Sequence, residues 1–152
     1  MAVGVPLMAA YVLGYAATHP LRFDATFGAD GKRVFEREPG QVVRYTFRLA
    51  NVGRPTVTDL SVVKAEGSPA LQLERAGVPA NWWADRARLE PLAGVGLEQD
   101  DYEDRITLEL RQGASCSTPV GTLDAIWIRY TVLGMEHEQR VPLVDGPSVL
   151  CR

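Results

Sequence analysis

Histidine and cysteine are scarce in this chain, with two of each among 152 residues. Structural zinc sites draw on closely spaced Cys and His, and Cys116 and Cys151 stand too far apart for the C-x-x-C spacing that tunes a redox pair. No G-x-S-x-G turn occurs, and neither histidine has a nucleophile and an acid in a recognisable context. The expectation is a non-enzymatic chain without a cofactor. Clustered Lys and Arg are lacking as well: 16 basic residues against 19 acidic ones give a net charge of -3, with both signs interspersed. Nucleic-acid binders carry basic stripes, so nucleic acid is not an expected partner. Internal repeats, low-complexity linkers and a sustained 3.6-residue apolar period are also missing, which leaves β-structure as the framework to test.

One stretch lacks charge altogether. Residues 2–21 carry none, and Val3, Val5, Leu7, Met8, Tyr11, Val12 and Leu13 make its first part strongly apolar. Roughly 20 residues is the length an apolar helix needs to cross a bilayer core. Gly14 and Ala16 occupy the small-residue positions of a signal-peptidase cut after Ala16. Residues 1–20 are therefore expected to be a signal peptide or signal-anchor helix. The domain that follows would be membrane-anchored or secreted and lie on the extracytoplasmic side. Arg22, Lys32 and Arg33 follow the run and no basic residue precedes it, the reverse of the positive-inside rule; a basic stretch upstream of Met1 would reconcile the two. The alternative is a buried N-terminal helix or strand of the domain itself.

From residue 21 to 152 the dominant signal is apolar alternation with period two, which sends successive side chains to opposite faces of a strand. Val43, Tyr45, Phe47 and Leu49 face in, with Arg44, Thr46 and Arg48 between them, and the run ends in the turn-forming Asn51-Val52-Gly53-Arg54-Pro55. Thr58, Leu60 and Val62 predict a second strand, closed by Gly67-Ser68-Pro69. Leu71 with Leu73, and Ile106 with Leu108 and Leu110, predict two more. Ile126, Ile128, Tyr130 and Val132 share one face of a strand whose other face holds Leu123, Ala125 and Trp127, the mark of a central strand. Gly134 breaks it, and Val141 and Leu143 return as a hairpin. Leu21, Phe23, Ala25 and Phe27 predict a first strand, Val34-Phe35 and Ala87 to Leu89 short ones, and the region around Trp82-Trp83 a single helical turn. The sum is about seven to nine strands of an antiparallel immunoglobulin-like β-sandwich.

The pieces Val43-Arg44-Tyr45-Thr46-Phe47-Arg48-Leu49-Ala50-Asn51-Val52-Gly53, Leu89-Glu90-Pro91-Leu92-Ala93-Gly94 and Ile126-Trp127-Ile128-Arg129-Tyr130 resemble bacterial extracytoplasmic immunoglobulin-like modules of the CARDB type and its relatives. That resemblance implies a sandwich that binds other proteins or glycans or acts as a spacer, and it implies no catalytic residue.

Four groups of residues could carry function. In an oxidising compartment Cys116 and Cys151 would pair, tying the loop 113–119 to the C-terminal tail and adding roughly 3 kcal/mol; two buried thiols are the alternative. Met135 and His137 combine a thioether with an imidazole, a pair copper accepts, or else form an exposed polar turn. Glu98, Asp100, Asp101, Glu103 and Asp104 offer calcium-type oxygens without the spaced glycine of an EF-hand loop, and read equally as a solvated loop. Trp82 and Trp83 are candidates for a partner-binding surface or for packing. The expected function is a protein-interaction or structural module that uses sandwich loops or a sheet edge. The alternatives are an accessory subunit of a membrane complex, held through residues 2–21, and a copper-handling protein.

Overall fold

The computed structural model describes residues 19–24, 33–81, 83–84 and 86–152. The signal or anchor segment up to residue 18 lies outside them, as do Ala25, Phe27 and Trp82. Among the described residues the strands are β1 (Leu21–Asp24), β2 (Val34–Glu36), β3 (Val42–Asn51), β4 (Val57–Gly67), β5 (Leu71–Pro79), β6 (Leu89–Glu90), β7 (Tyr102–Gln112), β8 (Val120–Val132), β9 (Met135–Pro142) and β10 (Ser148–Leu150). They form two sheets, one in the order β1-β3-β7-β5-β6 and the other β2-β10-β8-β4 with β9 also paired to β8. Every pairing is antiparallel except that of β10 with β2. This is an immunoglobulin-like β-sandwich, with β10 too short to leave a pattern in the sequence.

The core follows the alternation. Tyr45 and Phe47 of β3 lie opposite Leu108 and Ile106 of β7, and all four are buried, so cross-strand pairs of large apolar side chains join the sheet and fill its inner face. On the outer face Arg44 of β3 donates to Glu109 of β7 at 2.7 Å, and the Thr46 and Thr107 hydroxyls meet at 2.9 Å. Arg48, expected on that same outer face, is buried there, its guanidinium 3.9 Å from the centre of the Tyr102 ring.

β8 is the central strand its two apolar faces predicted. β4 runs along one of its sides, while the other side is shared by β9 over 125–132 and β10 over 120–122. The inward face changes where the neighbour changes, so that adjacent Ala125 and Ile126 are both fully buried. The chain between β9 and β10 passes so close to β8 that a Cβ on Gly146 would strike the Leu123 carbonyl oxygen. Leu133 and Gly134 join β8 to β9 with φ of 50° and 76°, both positive as a type I′ hairpin turn requires.

Two local expectations are corrected. Thr58, Leu60 and Val62 do not share an inward face: Val57 and Leu60 are buried and Thr58 is exposed. Asp59 sits at φ 53° within a register shift between Thr58 and Ser61, and such a bulge advances the chain by an extra residue and flips the faces. Around Trp83 the described residues form turns rather than helix, and the one helical element among the described residues is a 3-10 turn at Leu92–Gly94. The pairing residues expected at Ala87 to Leu89 are Leu89–Glu90, opposite Pro79 and Val78.

The two ends of the sandwich are organised differently. At one end Asn51, fully buried, holds the loops: its side-chain amide donates to the Pro55 and Leu97 carbonyls at 2.9 and 3.0 Å, and its side-chain oxygen accepts from Gly53 N–H at 2.9 Å. Its backbone bonds to Asp100 and Asp101. β1 starts at this end, where Val52 N–H donates to Pro20. The β8–β9 turn lies there too, since Val132 pairs with Val57 and Val57 bridges Leu97. At the opposite end Cys116, between β7 and β8, forms a disulfide with Cys151, just past β10, with Cα atoms 5.9 Å apart.

Candidate interaction site

A sandwich has two flanks where the edge strands of its sheets face each other, and unpaired edges invite other chains. On one flank the edge strand β1 meets β9. Leu21 N–H donates to Gln139 Oε1 at 3.0 Å and Gln139 Nε2 donates to Leu21 O at 2.7 Å, both bonds buried. One side-chain amide thus satisfies both backbone groups of one residue across the gap between the sheets.

On the other flank β4 and β5, joined by the turn at 68–70, stay apart. Among the described residues β4 pairs with β8 alone, apart from Val57, whose N–H and C=O each bond Leu97 at 2.9 Å. β5 pairs with β7 from Leu71 to Gly77, and with β6 only at Val78 and Pro79. Between the two strands lies an open groove of about 320 Å³, lined by Val63, Lys64, Ala65, Gly67, Ser68, Pro69, Leu71, Gln72 and Leu73. Lys64 is the one charged residue of that lining. The neighbouring Glu66 is committed elsewhere, accepting from the Trp127 indole N–H at 2.5 Å and from Arg140 at 2.7 Å. Those two hydrogen bonds, the indole's first, hold its carboxyl below the usual carboxylate range. Val63 is exposed on the same strand. Register shifts at Thr58/Ser61, Val62/Lys64 and Glu66/Gly67 cut β4 into short ladders. A bulged, lysine-bearing edge resists indiscriminate pairing.

The residues singled out in the sequence are scattered over the sandwich. Cys116 and Cys151 are brought together. Trp83 is exposed, in a loop that folds back over the outer face of the first sheet, where Arg44 donates to Ala87 O at 2.7 Å. Met135 is exposed as the first residue of β9, and half-buried His137 stacks on Tyr130 at 5.8 Å between ring centres. Burial pushes the Tyr130 phenol up to about 12. Among the described residues no group of three or more His, Cys, Asp or Glu is placed to hold a metal ion. Of the acidic stretch, Asp101 caps Tyr102 N–H at 2.8 Å and Glu103 pairs with Arg105 at 2.9 Å. The groove itself was missed by sequence reading: alternation marks β4 as a strand but carries no sign that it lies at an edge.

No protein-family model and no curated protein matches the chain. Among solved structures it is similar to an ASH/PapD-like domain of human CEP192 (PapD-like domain 7), at 13% identity over 90% of this chain and 87% of that one, with a TM-score of 0.40.

Proposed function

We propose that this chain is a non-enzymatic protein-interaction module on the extracytoplasmic side of a membrane, anchored by or exported through its apolar N-terminal segment. In this reading it grips an extended segment of a partner protein along β4. The observation that carries it is the open flank: an edge strand beside a groove between the sheets, opposite a flank that is closed. An added strand gains main-chain hydrogen bonds from such an edge, and the pockets beside it select side chains. The groove favours a segment with an acidic side chain for Lys64 and small apolar side chains against Val63 and Leu73. The disulfide supports an oxidising compartment. Among the described residues no helix is long and apolar enough to cross a membrane; in this reading anchoring falls to residues 2–21, whose uncharged run has about the length of a membrane span. An accessory subunit of a membrane complex would use the same flank on a neighbouring subunit.

Peptides selected from a random library against the full chain in detergent should be enriched in Asp and Glu and should slow amide exchange at 61–65 and 71–73. Lys64→Glu should weaken them at least tenfold. Selected peptides that protect the Trp83 loop instead, and that ignore Lys64→Glu, would overturn the reading. A second reading, copper handling by Met135 and His137, rests on their shared side of β9. Equal weak copper binding by the parent and His137→Ala removes it.

A further inference from the structure

Leu133 occupies a position that its own turn disfavours. At φ 50° beside Gly134 at 76°, it fills a site where Asn, Asp or Gly is the relaxed choice, since a leucine Cβ crowds the backbone there. Packing does not compensate, because the side chain is 80% exposed. Its neighbour across the turn, Met135, is 58% exposed, and at the same end Val52 is 53% exposed in the loop after β3. The exposed valines Val34, Val42 and Val120 lie within strands instead. Val144 and Trp83 are also exposed in turns, but among the described residues the Asn51 end gathers three such side chains, Leu133, Met135 and Val52. This is also where the apolar N-terminal segment enters the fold, through His19 and Pro20, the latter bonded to Val52 at 2.8 Å.

We infer that the Asn51 end of the sandwich rests on the lipid surface, with Leu133 and Met135 of the β8–β9 turn set into the interfacial layer. This rests on the membrane-anchor reading proposed above. The uncharged, largely apolar stretch of residues 2–21 joins the fold at this end and holds the end close to whatever bilayer it enters. Exposed aliphatic side chains then gain by burial among acyl chains. Arg22 and Arg54 can reach headgroup phosphates from the same end, but Glu98, Asp100, Asp101 and Glu136 also surround it, so acidic side chains outnumber basic ones. The surface it fits is an uncharged, zwitterionic one held by apolar contact, not an anionic one held by charge.

The test uses the full chain, disulfide intact, in phosphatidylcholine vesicles. A nitroxide is attached to a single engineered cysteine in Leu133→Cys, Met135→Cys or, as a control from the opposite end, Val120→Cys. The ratio of oxygen to aqueous nickel-chelate collision rates should be at least fivefold higher at 133 and 135 than at 120, and replacing a third of the lipid with an anionic one should not raise it. Adding Leu133→Asn to the Met135→Cys protein should lower its ratio at least threefold while leaving its melting temperature unchanged or higher. Equal ratios at 133 and 120 in protein that floats with the vesicles overturn the inference and leave the anchor standing. Protection of 133 from both reagents overturns it in favour of a protein contact. Failure to float removes the anchor reading, and the inference with it.

Discussion

Along one flank of the sandwich a buried amide ties β9 to β1, while along the other β4 and β5 part around a groove. The first flank needs one residue with a donor and an acceptor aimed at the same backbone, and Gln139 supplies both to Leu21. The disulfide works on the same side of β8, pinning the chain just past β10 to the loop before β8. The second flank has neither device. It relies on Lys64, on bulges and, at its start, on the Leu97 bridge to limit what can add to it. Closure is thus spent where β1 and β10 are short, at four and three residues. The eleven-residue β4 is held by β8 along its whole length and can afford an open side.

The contrast can be broken experimentally, starting with its covalent element. The disulfide spans 35 residues of chain, and losing it should cost about 4 kcal/mol on the chain-entropy model. Urea unfolding of the Cys116→Ser/Cys151→Ser protein measures this, and a loss below about 1 kcal/mol would show that β10 holds without it. Gln139→Leu should cost about 3 kcal/mol, because it removes two buried hydrogen bonds and leaves the Leu21 N–H and C=O without those partners. Faster amide exchange at Leu21 should accompany it. On the open flank Lys64→Glu should change stability by no more than about 0.5 kcal/mol while abolishing capture of acidic peptides. If it destabilised as much as Gln139→Leu, the two flanks would not differ in kind.

The smallest effect concerns Glu66, on β4 beside the groove. Its carboxyl is held below its ordinary value of 4.5, first by the Trp127 indole and then by Arg140. A lowered folded value means that the charged form is favoured by folding. The stability it adds is therefore present above the ordinary carboxylate range and lost as pH falls through the lower folded value. Melting temperatures of the parent and Glu66→Gln should differ at pH 6 and converge as pH falls through the lowered folded value.

Much of the core was legible in the sequence, and the reason is local. In β3 and β7, period-two alternation is imposed by burial on one face, so the inward residues can be read directly; in β8 the inward face changes between Ala125 and Ile126, so both apolar sets of the sequence turn inward. β4 was misread because a bulge at Asp59 exchanges faces, and Asp in a polar stretch gives no warning that it sits at positive φ. The cysteine pair was readable from composition, given the expectation of an oxidising compartment. Asn51 and Gln139 were not, since a polar residue at a strand end or between charged neighbours looks solvated until the opposing backbone is in place. The groove and the strained Leu133 were hidden for a related reason. Whether a strand is an edge, and which hand a two-residue turn takes, depends on partners far along the chain.

The position of the disulfide has a mechanical meaning. Tension applied to the chain beyond Cys151 bypasses β10 and is delivered through the sulfur bridge to the loop between β7 and β8, and so to the central strands of both sheets. Without the bridge the same pull would peel a three-residue strand from its neighbours one hydrogen-bonded pair at a time. With it, the load falls on long strands that must fail together. At the opposite end tension along the N-terminal segment falls on β1, four residues held by hydrogen bonds and by the packing of Leu21 and Phe23, with no covalent bridge. A domain stretched between its two ends would therefore yield first at β1.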